Sequence, residues 1–476
     1  MSKKLIDMER VKRIQDIDFS SYEAREEILN IIEMLCSIIF ELQAENQELR
    51  DEVMRLKGEK GKPDIKANVQ SKEDAEKGRE EAGKEKMDRR KKGDWKKGKK
   101  KEKIKIDRVE TIKLDKSGLP DDAAFKGYEE RIIQNIIIQT DNVLYRLEKY
   151  YSPSERKTYT AELDPSLQGT DFGPETKALV VTLYYENRVT ENKIASFLNS
   201  NGLLISEGTV SNIIIKDKNV ELTREKEEIF QAGLKSSTYQ QIDDTGMRIA
   251  GKNGYATIVC NEEYSAFFIN DRKNRETVRG IIGDEERKLF IVLVGDDAPQ
   301  FKTIAEVFAL CWIHEDRLYE KLIPILECHQ KELERVRGEF WDYYDELKKY
   351  KTNPTPEEAD RLSSSFDVLF SQRTGYEDLD KRLNLTLKKK DVLLVVLDYP
   401  EVPLHNNLSE NGIREMVLKR KISGGVETED GKIALENYMT ILATCKKQGI
   451  SFYEYVKNIF AGIEQEISLS AMILST

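Results

Sequence analysis

Two short β-rich runs, each finishing on a pair of acids, constrain this chain more than any other feature. Ser236 to Ile242 reads as a strand, and Asp243-Asp244-Thr245-Gly246 follows it as a turn signal. A hairpin is expected next, Tyr255 to Cys260 and Tyr264 to Ile269 about a polar turn at 261–263. After a helix at Arg275–Ile282, Leu289 to Val294 reads as a further strand and ends in Gly295-Asp296-Asp297. A helix at Gln300–Glu306 and a strand at Phe308–Trp312 complete a β-β-β-α-β-α-β series, the order of an RNase H-like mixed sheet. Far downstream, Asn407-Leu-Ser-Glu410 opens a basic helix and adds a third carboxylate. Strand acid, strand acid and helix acid form a set of hard oxygen donors suited to two Mg²⁺ ions (or Mn²⁺) and phosphodiester chemistry.

Side chains alternate along a strand, so the two members of an acid pair cannot both face one site while the chain stays extended. Asp243 shares its face with Tyr239 and Gln241 and is the expected ligand. Asp296, nearest its strand end, is the expected second and Glu410 the third. Each has a plain alternative. Asp-Asp-Thr-Gly is a good turn, Asp297 suits a helix cap, and Asn407 with Glu410 has capping-box spacing. Glu410 and Arg414 also suit an i, i+4 ion pair.

Charge then limits the partners. Lys and Arg number 77 against 87 acids, a net charge of −10, so DNA would have to meet local basic patches. Arg414, Lys419, Arg420 and Lys421 on the Glu410 helix are one such patch. Between Lys84 and Lys105, thirteen Lys or Arg stand against four acids, a local charge of +9 in a segment otherwise read as a flexible linker. No apolar run is long enough to span a bilayer, and the first residues lack the apolar core of a signal peptide. The 5 cysteines are scattered and none forms a Cys-x-x-Cys pair, which predicts a reducing, cytoplasmic setting, nucleoid-associated if DNA is the partner. Cys311, His314, Cys328 and His329 are soft ligand types, but their spacing matches no common zinc site. No Gly-rich phosphate loop and no Gly-x-Ser-x-Gly occurs.

The N-terminal part carries heptads. Ile28, Leu35, Leu42, Leu49 and Leu56 fall seven apart, with Ile32, Ile39, Asn46 and Val53 four after the first four. Leu at d and β-branched residues at a, with one a-position Asn, predict a two-stranded parallel coiled coil over 22–57, hence a homodimer or higher oligomer. Two short helices, after Thr190 and after Ser206, flank a turn at Gly202 and resemble a helix-turn-helix. The expected plan is six segments: the zipper (1–58), a Lys-rich linker (59–105), a DNA-binding region (106–232), the first part of the catalytic core (233–315), a helical insertion (316–400) and the completion of the core (401–476).

Taken together, Phe172-Gly-Pro174, Gln241-Ile-Asp-Asp-Thr245, Gly254-Tyr255, Arg275, Gly295-Asp296, Cys311-Trp312-x-His314, Asn406-Asn407-x-x-Glu410, Arg414 and Arg420-Lys421 resemble the insertion-sequence sixty-six (TnpC-type) family of DDE transposases. The resemblance spans about residues 170–462. It implies an RNase H-like fold, dependence on Mg²⁺, cutting and joining of the element's inverted-repeat ends, and Asp243, Asp296 and Glu410 as catalytic triad. Two departures stand out. The family's Cys-rich zinc motif after the coiled coil is absent, and Asp-Asp replaces the usual Asp-Glu at 243–244 and Asp-Gly at 296–297. The alternatives are an RNase H-like nuclease without transposition activity and a dimeric DNA-binding protein.

Overall fold

The structure, a computed structural model, describes residues 26–35, 38, 39, 42, 104–115, 125–282, 292–302, 304–463, 465 and 467–475. Most of the zipper and nearly all of the Lys-rich linker, including Asn46, Leu49, Val53, Leu56 and Trp95, lie outside the described residues. Two compact units are present, residues 42–139 and residues 1–41 with 140–476. In the first, the described stretches 104–115 and 125–139 have no regular secondary structure.

The larger unit begins with helical residues 26–35 and a hairpin of β1 (Lys149–Ser152) and β2 (Lys157–Thr160). Helices α1 (Pro174–Val181), α2 (Glu191–Ser200), α3 (Glu207–Ile215) and α4 (Asn219–Lys235) follow. Helix α1 begins with Pro174 at N1, where the missing N–H costs nothing. Ser206 caps α3 by accepting from Thr209 N at 3.1 Å. Gly202, at φ +92°, turns the chain between α2 and α3. The apolar faces of α2 (Ile194, Leu198) and α3 (Val210, Ile213, Ile214) are buried.

The sheet is mixed and five-stranded: β3 (Tyr239–Ile249), β4 (Lys252–Cys260), β5 (Ser265–Asn270), β6 (Val292–Gly295) and β7 (Val307–Leu310), in spatial order β5-β4-β3-β6-β7. Strand β4 runs antiparallel to both neighbours, whereas β3, β6 and β7 are parallel. The β5 edge would expose unpaired N–H groups. Helix α13 (Glu429–Gln448) covers it: Glu436, Thr440 and Thr444, spaced four apart on one helix face, accept from the amides of Ile269, Phe267 and Ser265 at 2.6, 3.0 and 3.4 Å.

The first strand differs from expectation. Asp243-Asp244-Thr245-Gly246 is not a turn: all four residues pair with β4, and the chain reverses instead at Ala250-Gly251, both with positive φ. Tertiary pairing outweighs the local turn chemistry here. A second difference lies beyond Asp297, where the described residues of 300–306 form turns rather than a helix. The Gln300 side chain donates to Asp244 Oδ2 at 2.6 Å, a contact outside the reach of local propensity. The start of the helical insertion is two helices, α6 (Trp312–Glu320) and α7 (Glu327–Tyr350), separated at Pro324.

Helix α5 (Arg275–Ile282) connects β5 and β6. After α7, helices α8 (Pro356–Ser371), α9 (Glu377–Leu387), α10 (Lys390–Leu393) and α11 (Val395–Asp398) form with α6 and α7 a separate aromatic core around Trp312, Phe340, Phe366 and Phe370. Helices α12 (Asn407–Ser423), α14 (Phe452–Ala461) and α15 (Leu469–Ser475) complete the unit. Among the described residues no helix is long and apolar enough to cross a membrane.

Candidate active site

Strand register brings the two strand acids level. β3 and β6 pair in parallel from Tyr239↔Val292 to Gln241↔Val294, and two residues further lie Asp243, still in β3, and Asp296, one residue past the end of β6. Pairing with β6 stops short of Asp243, so the site opens where β3 continues only as a hairpin with β4.

Helix α12 lies on the same region of the sheet. Gln241 Oε1, two residues before Asp243 and therefore on its face, accepts from Leu408 N at 3.0 Å and Ser409 N at 3.3 Å. Glu410 is the next residue, in the first turn. A Cβ at Gly412 would stand 2.3 Å from Ile258 Cδ1, and Ile258 is the register partner of Asp243. The glycine thus permits close packing of helix on sheet. Ahead of α12, Trp312 N donates to Leu404 O at 2.9 Å, which ties the start of α6 to the same place.

The members of each acid pair have separate fates. Asp244 accepts from Gln300 Nε2 at 2.6 Å and Lys273 Nζ at 3.2 Å. Asp297 pairs with Lys302 and Lys389 at 2.5 and 2.8 Å, and against its partial burial these lysines hold its carboxyl low. Among the described residues Asp243 has no such cation, and the only hydrogen bond to its carboxylate comes from the backbone N–H of Asp244 at 2.8 Å. Burial first, then the charges of Asp296, Asp244 and Glu410, push its carboxyl up to about 7. Burial also raises Asp296, partly offset by the Ala298 N–H and by His314.

Glu410 is held from the other side. The guanidinium of Arg317 donates to both its oxygens at 3.2 Å, His314 Nε2 stands 3.5 Å from Oε1, and Arg414 lies 3.7 Å from Oε2. Burial lowers His314, which favours its neutral form beside Arg317. Among the described residues no three His, Cys, Asp or Glu side chains stand together closely enough to hold one ion. The donor chemistry nevertheless fits a hard divalent cation. Among the described residues Asp243 and Asp296 offer carboxylate oxygen with no lysine or arginine bound to them, and the crowding of acids around Asp243 is what such a cation would relieve.

Of the expected DNA-contacting residues, Arg414 and Lys421 are exposed and Arg420 is half-buried. Lys419 is turned inward at 1% exposure, its Nζ donating to Tyr184 O at 2.7 Å, where burial pushes its ammonium down to about 7. It faces protein, not solvent. Of the soft ligands, Cys311 is buried, Cys328 exposed, and His329 stacks on Tyr376 beside Glu33.

Sequence reasoning missed Arg317, Lys273 and Gln300, each of which meets an acid distant in sequence. Only Arg317 left a signal, its i+3 spacing from His314.

A family model described as "Transposase IS66 family" matches residues 169–434, more than half of the chain. The "Uncharacterized protein y4jO" of Sinorhizobium fredii (strain NBRC 101917 / NGR234) is 44% identical over 177 residues, 37% of this chain and 53% of that protein. The match therefore spans about half the length of that relative.

Proposed function

The chain belongs to the IS66 family of transposases, and from that premise we propose that it cleaves the ends of an insertion sequence and joins them to target DNA, with Asp243, Asp296 and Glu410 as the catalytic triad. The observation that carries this reading is the uncompensated charge on Asp243, level with Asp296 and sensing Glu410 from α12. The sheet order supports an RNase H-like core: three consecutive antiparallel strands, then two parallel ones on the other side of the first.

Asp243 and Asp296 would hold the metals, and Glu410 would join them from its helix. A pair of Mg²⁺ ions (or Mn²⁺) would supply positive charge to the attacking and leaving oxygens of an in-line displacement. The protein's own part is positional. Lys302 and Lys389 keep Asp297 engaged, Gln300 and Lys273 keep Asp244 engaged, and Asp243 is left to the site. Arg317 orients Glu410 and would offer its guanidinium to a DNA phosphate there. Arg414, Arg420 and Lys421 extend a basic surface along α12 for the backbone, and α2 and α3 are the helices for reading the element's end. Self-association through 22–57 would bring two ends together in the cytoplasm, on nucleoid DNA. Ile32, Leu35 and Ile39 of that heptad stripe are exposed, as a seam that receives a second copy should be.

Incubating the protein with labelled end DNA, a plasmid target and Mg²⁺ tests the reading. Joined products are expected. Nicks without joining would reduce the activity to a nuclease, and no cleavage would leave a DNA-binding protein.

A further inference from the structure

We propose that Gln241 is a positioning residue, a clamp that fixes the helix bearing Glu410 against the strand bearing Asp243. The inference rests on the triad reading above and assigns the element that assembles it.

A helix leaves its first N–H groups without internal partners, and the residue just before it ordinarily supplies the acceptor. Helix α12 departs from this: Asn406, in the capping position, makes no side-chain cap hydrogen bond. The acceptor comes from 167 residues earlier in the chain. Gln241 Oε1 takes both Leu408 N and Ser409 N, and its side chain is 1% exposed, so water cannot replace it. Its Nε2 has no partner among the described residues, so the amide is engaged through its oxygen alone. Gln241 precedes Asp243 by two residues and lies on the same face of β3, while the amides it holds directly precede Glu410. One side chain therefore fixes the relation between two members of the triad.

A second anchor lies just beyond. Gly412 lets α12 touch Ile258, across the ladder from Asp243. The two anchors straddle Glu410, and losing either leaves the carboxylate on a helix end free to shift. A displacement of about 1 Å at a reacting centre costs on the order of 10²-fold in rate.

The test uses the full chain with two readouts, Mn²⁺ affinity by electron paramagnetic resonance and Mn²⁺-dependent nicking of supercoiled plasmid. Gln241→Leu removes the acceptor; it is expected to weaken Mn²⁺ binding about tenfold and nicking about 10²-fold. Gln241→Glu restores an acceptor oxygen at a helix N-terminus and is expected to recover most of both. A purely structural glutamine would give the same nicking for every variant that folds, as judged by circular dichroism. Gln241→Leu within twofold of wild type in both readouts would overturn the clamp, as would a Gln241→Glu variant as impaired as Gln241→Leu. Should Gln241→Leu not fold, Gly412→Ala carries the test with the same expected losses, and its retention of full binding and nicking overturns the proposal. Glu410→Gln separates the two layers. If it loses nicking while the Gln241 variants do not, the triad stands and the clamp fails. If it changes nothing, the triad fails and the clamp with it.

Discussion

Two sets of buried acids show how differently one protein can treat the same side chain. Glu315, on α6, is 1% exposed and fully answered: Arg382 Nη2 at 2.9 Å, Lys389 Nζ at 2.8 Å and Thr386 Oγ1 at 2.7 Å all donate to it. Its neighbour Asp316 receives a fork from Arg337 at 3.0 and 2.9 Å. Asp243 is also largely buried, yet it receives one backbone N–H and faces three acids. A buried carboxylate without a cation is costly and persists where something outside the chain completes it. The contrast teaches that uncompensated charge, rather than burial, separates a site from a structural network.

The largest effect expected from this contrast is on chemistry. Asp243→Asn should lower strand transfer on the order of 10³-fold or more in a gel assay of joined products. The same substitution should leave the melting temperature unchanged or raise it, because it removes a repelled charge. A sharp loss of stability with activity kept would place Asp243 in the structural class. Glu315→Ala should do the reverse. It leaves Arg382 without the carboxylate it donates to and Lys389 with Asp297 alone, and should cost about 3 kcal/mol in urea denaturation, the usual result of removing one partner of a buried pair.

How much of this the sequence discloses follows from the range of the interactions. Strand–acid, strand–acid and helix–acid can be read locally, because alternation and turn residues are local. The choice of Asp243 over Asp244 rests on a shared face with Gln241, and the structure places Asp244 against Lys273 and Gln300 instead. The answering groups are not local. Arg317 meets Glu410 across 93 residues and Gln241 meets Leu408 across 167, separations that no periodicity encodes. Lys419 misleads for a related reason: in Lys419-Arg420-Lys421 nothing local distinguishes the lysine that turns inward to Tyr184 O. The Asp-Asp-Thr-Gly turn misleads because β4 can carry the strand past it.

A smaller effect sharpens the comparison through pH. Asp243 holds its proton up to about 7 in the folded chain but releases it near the ordinary carboxylate value when unfolded. Between those values the folded state binds the extra proton. Stability should therefore fall as pH rises from about 4 to about 7, by about 2 kcal/mol after allowing for partial exposure. Asp243→Asn should flatten this slope in urea titrations, and saturating Mg²⁺ should do the same by favouring the ionised form. Catalysis at subsaturating Mg²⁺ should run the other way, declining as falling pH returns the proton to the carboxyl that the metal must displace. A slope unchanged in Asp243→Asn would move the origin of the pH dependence elsewhere.

The smallest effect concerns the two fates of neighbouring cations on α12. Lys421 is exposed, whereas Lys419 is sealed against Tyr184 and Tyr185. A phosphate contact releases roughly one counterion, so Lys421→Ala should weaken plasmid binding a few-fold and reduce the salt slope by about 1. Lys419→Met keeps the length of the side chain and removes a charge that does not reach solvent. Its salt slope should match wild type, because a counterion cannot be released from a buried site. Equal changes of slope in the two variants would mean that α12 rotates on DNA binding to present Lys419. The uncompensated sheet end and the sealed helix side would then be parts of one moving surface rather than opposites.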